Sequence, residues 1–290
     1  MAGESDIELS GSTDQYVDWS VGDEIVIAPS GFDPEEAEIR TITDIIDGRI
    51  VLNEAHRYNH IVRNMILPLH QQSLPEDAWF GDGGVLAPEI GLLTRRIVVQ
   101  GGEDPTEPLE FNHFGCRVLI GTYTDDGNDF IGKAEIDSVE FRYCGQGGYF
   151  SPRDPRYSIA FKDLQELSMG NYITRSSIHH GYNTAIGIHR SNGILISDNV
   201  VYRTTDSSLK VGGTSNEISR NLAILTTTVQ PNAPKDNHAV DFPATYDVDA
   251  TNSLQGNVAA GSTRIGFKYP GEECIDGLLA TKAESVSLSH

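Results

Sequence analysis

The chain has 290 residues, with 42 Asp and Glu against 21 Lys and Arg and a formal net charge of −21. That balance argues against nucleic acid or an anionic membrane as partner, because both need positive potential. No apolar run approaches the ~18 residues of a membrane span, and Met1 leads into acidic sequence with no hydrophobic core of a signal peptide. Twenty-nine glycines and few helix-periodic runs favour tightly turned β structure.

In chain order, residues 1–15 are polar and read as a disordered or truncated leader. Trp19-Ser-Val-Gly22-Asp23-Glu24-Ile-Val-Ile27 predicts a turn feeding a strand. Glu38-Ile-Arg-Thr-Ile-Thr43 and Gly48-Arg-Ile-Val-Leu52 flank a turn at Asp47-Gly48 and predict a hairpin. Residues 68–88, rich in Pro, Gly and Asp, predict a loop, and Glu89–Gly101 returns to strand. Cys116–Ile120 and Ala134–Tyr143 predict strands of the first full coils of a phased repeat. The acidic run Asp125–Asp129 lacks the spacing and closing Glu of a calcium loop and reads as a solvated turn.

From Asn171 onward the sequence repeats. Asn171-Tyr-Ile173-Thr-Arg-Ser176, Leu195-Ile196-Ser-Asp-Asn199, Asn216-Glu-Ile218-Ser-Arg-Asn221 and Asn252-Ser-Leu254-Gln-Gly-Asn257 superpose on aliphatic anchors at 173, 196, 218 and 254. A second strand-like run comes after each anchor: Ala185–Ile188, Ser208–Val211, Thr245–Val248 and Arg264–Phe267. A period of about 22 residues made of short β runs marks a solenoid. The fold expected is all-β, a right-handed parallel β-helix, with the long third interval placed in a loop within Thr226–Asp241. Asn199, Asn221 and Asn257, capped by Ser176, share one phase and predict an amide ladder between coils. Arg175, Asp198 and Arg220 share another and predict alternating charges. Cys116 and Cys144 lie near one coil apart, which fits either a disulfide or two buried thiols; the pairing of Cys274 is open.

Trp19–Ile27, Tyr58-Asn-His60 and Glu89-Ile-Gly-Leu-Leu-Thr-Arg-Arg-Ile-Val-Val-Gln-Gly101 resemble the C-terminal half of a G8 domain, a family in which parallel β-helix repeats come next. Val139-Glu-Phe, Ser177-Ile-His-His180, Ala185-Ile-Gly-Ile-His189 and Gly271-Glu-Glu-Cys274 extend the resemblance, most nearly to the fibrocystin-like branch. It implies a partial G8-type region over 16–110, stacked on the N-terminal end of β-helix repeats over 111–275, with a tail at 276–290. Only half of a G8 domain is represented, which implies a fragment or a truncated relative. The family's other branch depolymerises hyaluronan and carries a Tyr-Pro-Ile-His-Phe-His segment; here Tyr157-Ser-Ile-Ala160-Phe-Lys162 stands in its place, without either histidine.

The resemblance therefore implies an extracellular or cell-surface module, non-enzymatic and receptor-like, that binds glycan or protein along the solenoid face. The alternative is a polysaccharide-active enzyme of the hyaluronidase or lyase kind. Imidazole can act as acid, base or ligand, so His60, His179, His180 and His189, with Arg190, are the candidate ligand-binding residues. No catalytic set, metal set or cofactor site is read from the sequence. Asp23 and Glu24 are adjacent on a strand and point to opposite faces, so they cannot flank one glycosidic bond.

Overall fold

The computed structural model describes residues 2–9, 19–65, 84–103, 113–147, 156–165, 170–227, 244–249, 251–269 and 288–289. They fall into two compact units, Met1–Ile90 and Gly91–His290. Cys274, most of the loop expected within Thr226–Asp241, and nearly all of the tail at 276–290 lie outside the described residues.

In the first unit, alternation along Glu38–Ile46 puts Glu38, Arg40 and Ile42 on the buried face, and this strand is flanked by Glu24–Ile27 and Arg49–Leu52. Asp47 and Gly48 close the hairpin in the left-handed conformation, with φ of 49° and 79°. Ile25, Val26, Ile27, Ile42, Ile50 and Leu52 form its core. Two expectations are corrected. Asp6–Glu8, expected in a disordered or truncated leader, is an ordered strand paired antiparallel with Arg49–Val51, and Arg49 meets Asp6 at 2.6 Å. Gly84–Leu86, within the supposed loop, pairs antiparallel with Arg63–Met65. Both stretches are polar or glycine-rich, so their pairing rests on backbone hydrogen bonds that leave no hydrophobic pattern.

The second unit is a parallel β-helix, in which each coil contributes one strand to each of three parallel sheets. The first sheet stacks Val118–Asp125, Ile159–Gln165, Ile186–Ser191, Leu209–Val211, Ala244–Val248 and Ile265–Lys268, with Asn128–Ile131 joined antiparallel at its edge. The second stacks Glu135–Asp137, Tyr172–Thr174, Leu195–Ser197, Glu217–Ser219, Ser253–Gln255 and Leu288–Ser289. The third stacks Ile97–Gln100, Val139–Arg142, Ser177–Gly181, Val200–Thr205, Leu222–Thr227 and Val258–Ser262. The repeat anchors are neighbours in register, Ile173 to Ile196 to Ile218 to Leu254. With Phe161, Ile178, Ile188, Val201, Leu209 and Tyr246 they fill one continuous core.

Between the second and third sheets the predicted amides make a ladder. Asn199 Oδ1 accepts from the Ser176 N–H at 2.9 Å, and Asn221 Oδ1 accepts from the Asn199 N–H at 3.1 Å. Each Nδ2 also donates to a carbonyl of the preceding coil, Asn199 to Ile173, Asn221 to Ile196 and Asn257 to Ile218. A second row sits at the other turn, where Asn216 Nδ2 donates to Asn252 Oδ1 at 3.0 Å and Asn171 Oδ1 accepts from the Ala134 N–H. Buried turn amides and carbonyls thereby find partners.

The corner next to the first row is left-handed in every coil described: Ser138, Arg175, Asp198, Arg220 and Gly256 have φ of 56°, 49°, 59°, 54° and 62°. Arg220 grips Asp198 at 2.7 and 2.8 Å, and Arg175 pairs with Asp137. A second column, inside the third sheet, holds Tyr143, His180, Arg203, Leu225 and Gly261 at φ of 54°, 53°, 50°, 56° and 72°. Cys116 and Cys144 form a disulfide between adjacent coils.

Candidate functional site

Along the first sheet the side-chain period of two sends Ile159, Phe161, Ile186, Ile188, Leu209, Tyr246 and Val248 into the core. The alternate positions point to the other face. One row there is Ala160, Gly187, Lys210, Asp247 and Lys268, each beside the next in register. A second row begins with Lys162 beside His189 and reaches Asp249. Lys268 Nζ meets Asp247 Oδ2 at 3.2 Å, and Arg190 Nε donates to Asp163 Oδ1 at 2.7 Å.

Gly187 has a specific part in this face. A Cβ there would fall 2.0 Å from Tyr157 Cδ2, so the missing side chain lets the Tyr157 ring lie against the strand. Asp206 stands at the margin, its Oδ2 accepting from Thr184 Oγ1 at 3.1 Å. Burial pushes the Asp206 carboxyl above the usual carboxylate range, and Asp247 adds to this although Lys210 and Thr184 pull the other way. Burial, again with Asp247, raises Asp249. The Tyr157 hydroxyl is raised by burial and by Asp206 and Asp247. His189 is lowered, by burial first and by Arg190 next. The result is a face of interleaved carboxylates and cations beside one phenol ring.

The five residues singled out from the sequence go to three places. His189 and Arg190 belong to the face just described. His179 and His180 lie on the third sheet, where Glu140 Oε1 meets His179 Nε2 at 3.3 Å and the two histidines share an Nδ1–Nδ1 contact of 2.8 Å. The His180 ring sits between Tyr143 and Tyr202, at 5.6 and 5.4 Å. Burial, then His179, Arg203 and Arg142, lowers its pKa to about 3, so it is neutral at pH 7. Burial acts to raise Glu140, but the His179 bond and the Arg95 N–H outweigh it and hold it low. His60 lies in the first unit against Glu38.

Sequence reading passed over Asp206, Asp247, Asp249, Lys210 and Lys268. Their signal was weak because the long third interval hides the register between Lys210 and Asp247. Glu140 was missed for a similar reason, since 39 residues separate it from His179.

Three stacked parallel sheets, turn amide ladders and a polar face on the first sheet define a parallel β-helix domain. The chain belongs to the CEMIP β-helix family, whose model matches residues 127–289. It is 32% identical over 267 residues to fibrocystin-L of Mus musculus, which covers 89% of this chain and 6% of that protein. A G8 domain-containing protein of Dictyostelium discoideum is 26% identical over 293 residues, 93% of this chain and 17% of its own. The cell migration-inducing and hyaluronan-binding protein of Mus musculus is 29% identical over 203 residues, 66% of this chain and 13% of its own. The chain thus spans a small fraction of each of these relatives. Among the described residues no helix is long and apolar enough to cross a membrane.

Proposed function

We propose that this chain is an extracellular, receptor-like module that binds a glycan chain along the outer face of the first sheet without cleaving it. The observation that carries this is the row Gly187–Lys210–Asp247–Lys268 in unbroken register, with Tyr157 against Gly187. Alternating carboxylate and ammonium groups offer acceptors and donors at the strand spacing of about 4.8 Å, and a phenol ring offers an apolar surface to a sugar. Similarity to a protein named as hyaluronan-binding supports a carbohydrate ligand. Ala160 and Lys162, which replace the two histidines of the hyaluronan-depolymerising branch, lie on this same face beside Gly187 and His189. That placement supports binding without turnover.

A second reading, a glycoside-cleaving enzyme, is favoured by Asp206 and Asp249, both raised by burial and both near Asp247. A carboxyl raised by burial is suited to act as a general acid beside a second carboxyl. The two readings separate in one experiment. Purified protein is incubated with hyaluronan and a panel of neutral and acidic polysaccharides, with binding followed by calorimetry and chain length by gel filtration. Saturable binding with unchanged chain length, weakened tenfold or more by Asp247→Ala, is expected. Shortening of any polysaccharide that is lost in Asp206→Asn would replace the module by the enzyme, and no binding to any of them would reject both.

A further inference from the structure

The first unit buries a cluster that the glycan-binding face does not use. Glu38 is 4% exposed, His56 7%, and the His60 side chain 6%. Each offers one ligand atom, a carboxylate oxygen or a ring nitrogen, and the three atoms lie within 4.8 Å of one another. His56 and His60 are edge to face, with centroids 5.3 Å apart.

The hydrogen bonds fix what His60 presents. Its Nδ1 lies 2.9 Å from the Ala28 carbonyl, which can only accept, so Nδ1 carries the proton. Nε2 then faces Glu38 Oε1 at 3.0 Å. In a neutral ring that is a lone pair aimed at a carboxylate, and only a cation or a second proton between them makes the contact favourable. A ring N–H held by a backbone carbonyl is also the usual support of a metal-ligating histidine. Glu38 itself is held by the N–H groups of Arg57 and Tyr58, at 2.9 and 2.8 Å, and by the Arg40 guanidinium. Its carboxyl stays low; burial acts to raise it, but those donors and His60 outweigh burial.

His56 supplies the independent observation. Its Nδ1 is buried and makes no hydrogen bond. Leaving such a group without a partner is costly in a folded core. The backbone of His56 is nonetheless tied down, its N–H donating to Glu4 O and its carbonyl accepting from the Gly3 N–H, both at 2.8 Å. The ring is therefore held beside the pair by a fixed backbone, and burial lowers its pKa toward the neutral, ligating form.

We propose that Glu38, His56 and His60 form a binding site for a divalent zinc-type cation, which clamps the segment carrying His56 and His60 to the strand Glu38–Ile46. Two imidazoles and a carboxylate are a common zinc donor set, with bonds of about 2.0–2.2 Å and donor atoms roughly 3.3 Å apart in a tetrahedron. The His60–Glu38 edge already has that span, and His56 must close by about 1 Å or more. A metal-bound imidazole nitrogen must carry no proton, so binding is weakened at acid pH.

The test is titration of the full chain with zinc chloride at pH 7.5 after dialysis against a chelator. One saturable equivalent is expected, with a rise in Tm that EDTA reverses, and His56→Leu should weaken binding at least tenfold. Nitrogen-15 spectra of the imidazoles should show zinc shifting one nitrogen of His56 and Nε2 of His60. This readout does not depend on the variant folding. A lack of saturable binding, an unchanged affinity in His56→Leu, or an unshifted His60 Nε2 resonance in the presence of zinc would overturn the site and leave a buried histidine–carboxylate hydrogen bond.

Discussion

Asn221 donates from Nδ2 to Asn257 Oδ1 at 2.9 Å across 36 residues of chain, the same distance at which Asn199 donates to Asn221 across 22. The long interval therefore changes the path of the chain between coils without changing how the coils stack. Fourteen more residues are absorbed between Thr227 and Ala244 while the turn keeps its geometry.

Asn221→Leu removes the acceptor of the Asn199 N–H and Nδ2, and the donor to Ile196 O. The expected cost is about 1–3 kcal/mol for each group left without a partner. Asn221→Gly should lose less, because water can enter the space the amide leaves. Thermal midpoints of the two variants against wild type check this; equal midpoints for all three would mean the amides carry no weight.

The Asp198 carboxyl is held below the usual range, first by its bond to Arg220. A depressed folded pKa contributes stability that is present above the unfolded value and lost as pH falls through the folded one. Asp198→Asn should thus be slightly less stable than wild type at pH 7, and the difference should vanish well below pH ~4. Both side chains are more than a third exposed, so the effect belongs at the small end of about 0.2–1 kcal/mol. A double-mutant cycle with Arg220→Ala measures it.

Asp206 behaves in the opposite sense. Its carboxyl is raised, so its contribution is full below the unfolded pKa and falls away as pH rises through the folded one. Asp206→Asn should be more stable than wild type at pH 7–8 and indistinguishable from it below pH ~4. Chemical denaturation across that pH range gives the answer, and a neutral-pH loss of stability would contradict it.

Reducing the Cys116–Cys144 disulfide releases a span of 28 residues. On chain entropy alone the loss is about 3–4 kcal/mol. The denaturant midpoint should fall when dithiothreitol is added, and Cys144→Ala should match the reduced protein and not the oxidised one.

Much of the fold was legible because the solenoid writes its period into the sequence. Ile173, Ile196, Ile218 and Leu254 share a core slot, and such slots admit only aliphatics of similar size. The Asn171, Asn216 and Asn252 row was visible at the head of each repeat, but Ile194 interrupts it, and the second ladder went unread. The site residues were harder. Asp206, Asp247 and Asp249 become neighbours only through strand register, and nothing in a local stretch marks a carboxylate that burial has raised. His60 was readable from its motif, whereas Glu38 and His56 join it through antiparallel pairing and a turn. The Asp6–Glu8 strand has no apolar alternation to reveal it.

The left-handed column of Tyr143, His180, Arg203, Leu225 and Gly261 bears on how short this architecture can be made. Four of the five carry a Cβ, and each such residue pays roughly 1–2 kcal/mol to hold that backbone. The strands continue pairing past the bend, Gly181 with Thr204 and Thr204 with Thr226, so each bend is held by the bends on either side. A single coil excised from the stack would have no such neighbours and would relax at Leu225 or Arg203. The solenoid thus has a minimum number of coils, and the bends inside its third sheet contribute to setting that number.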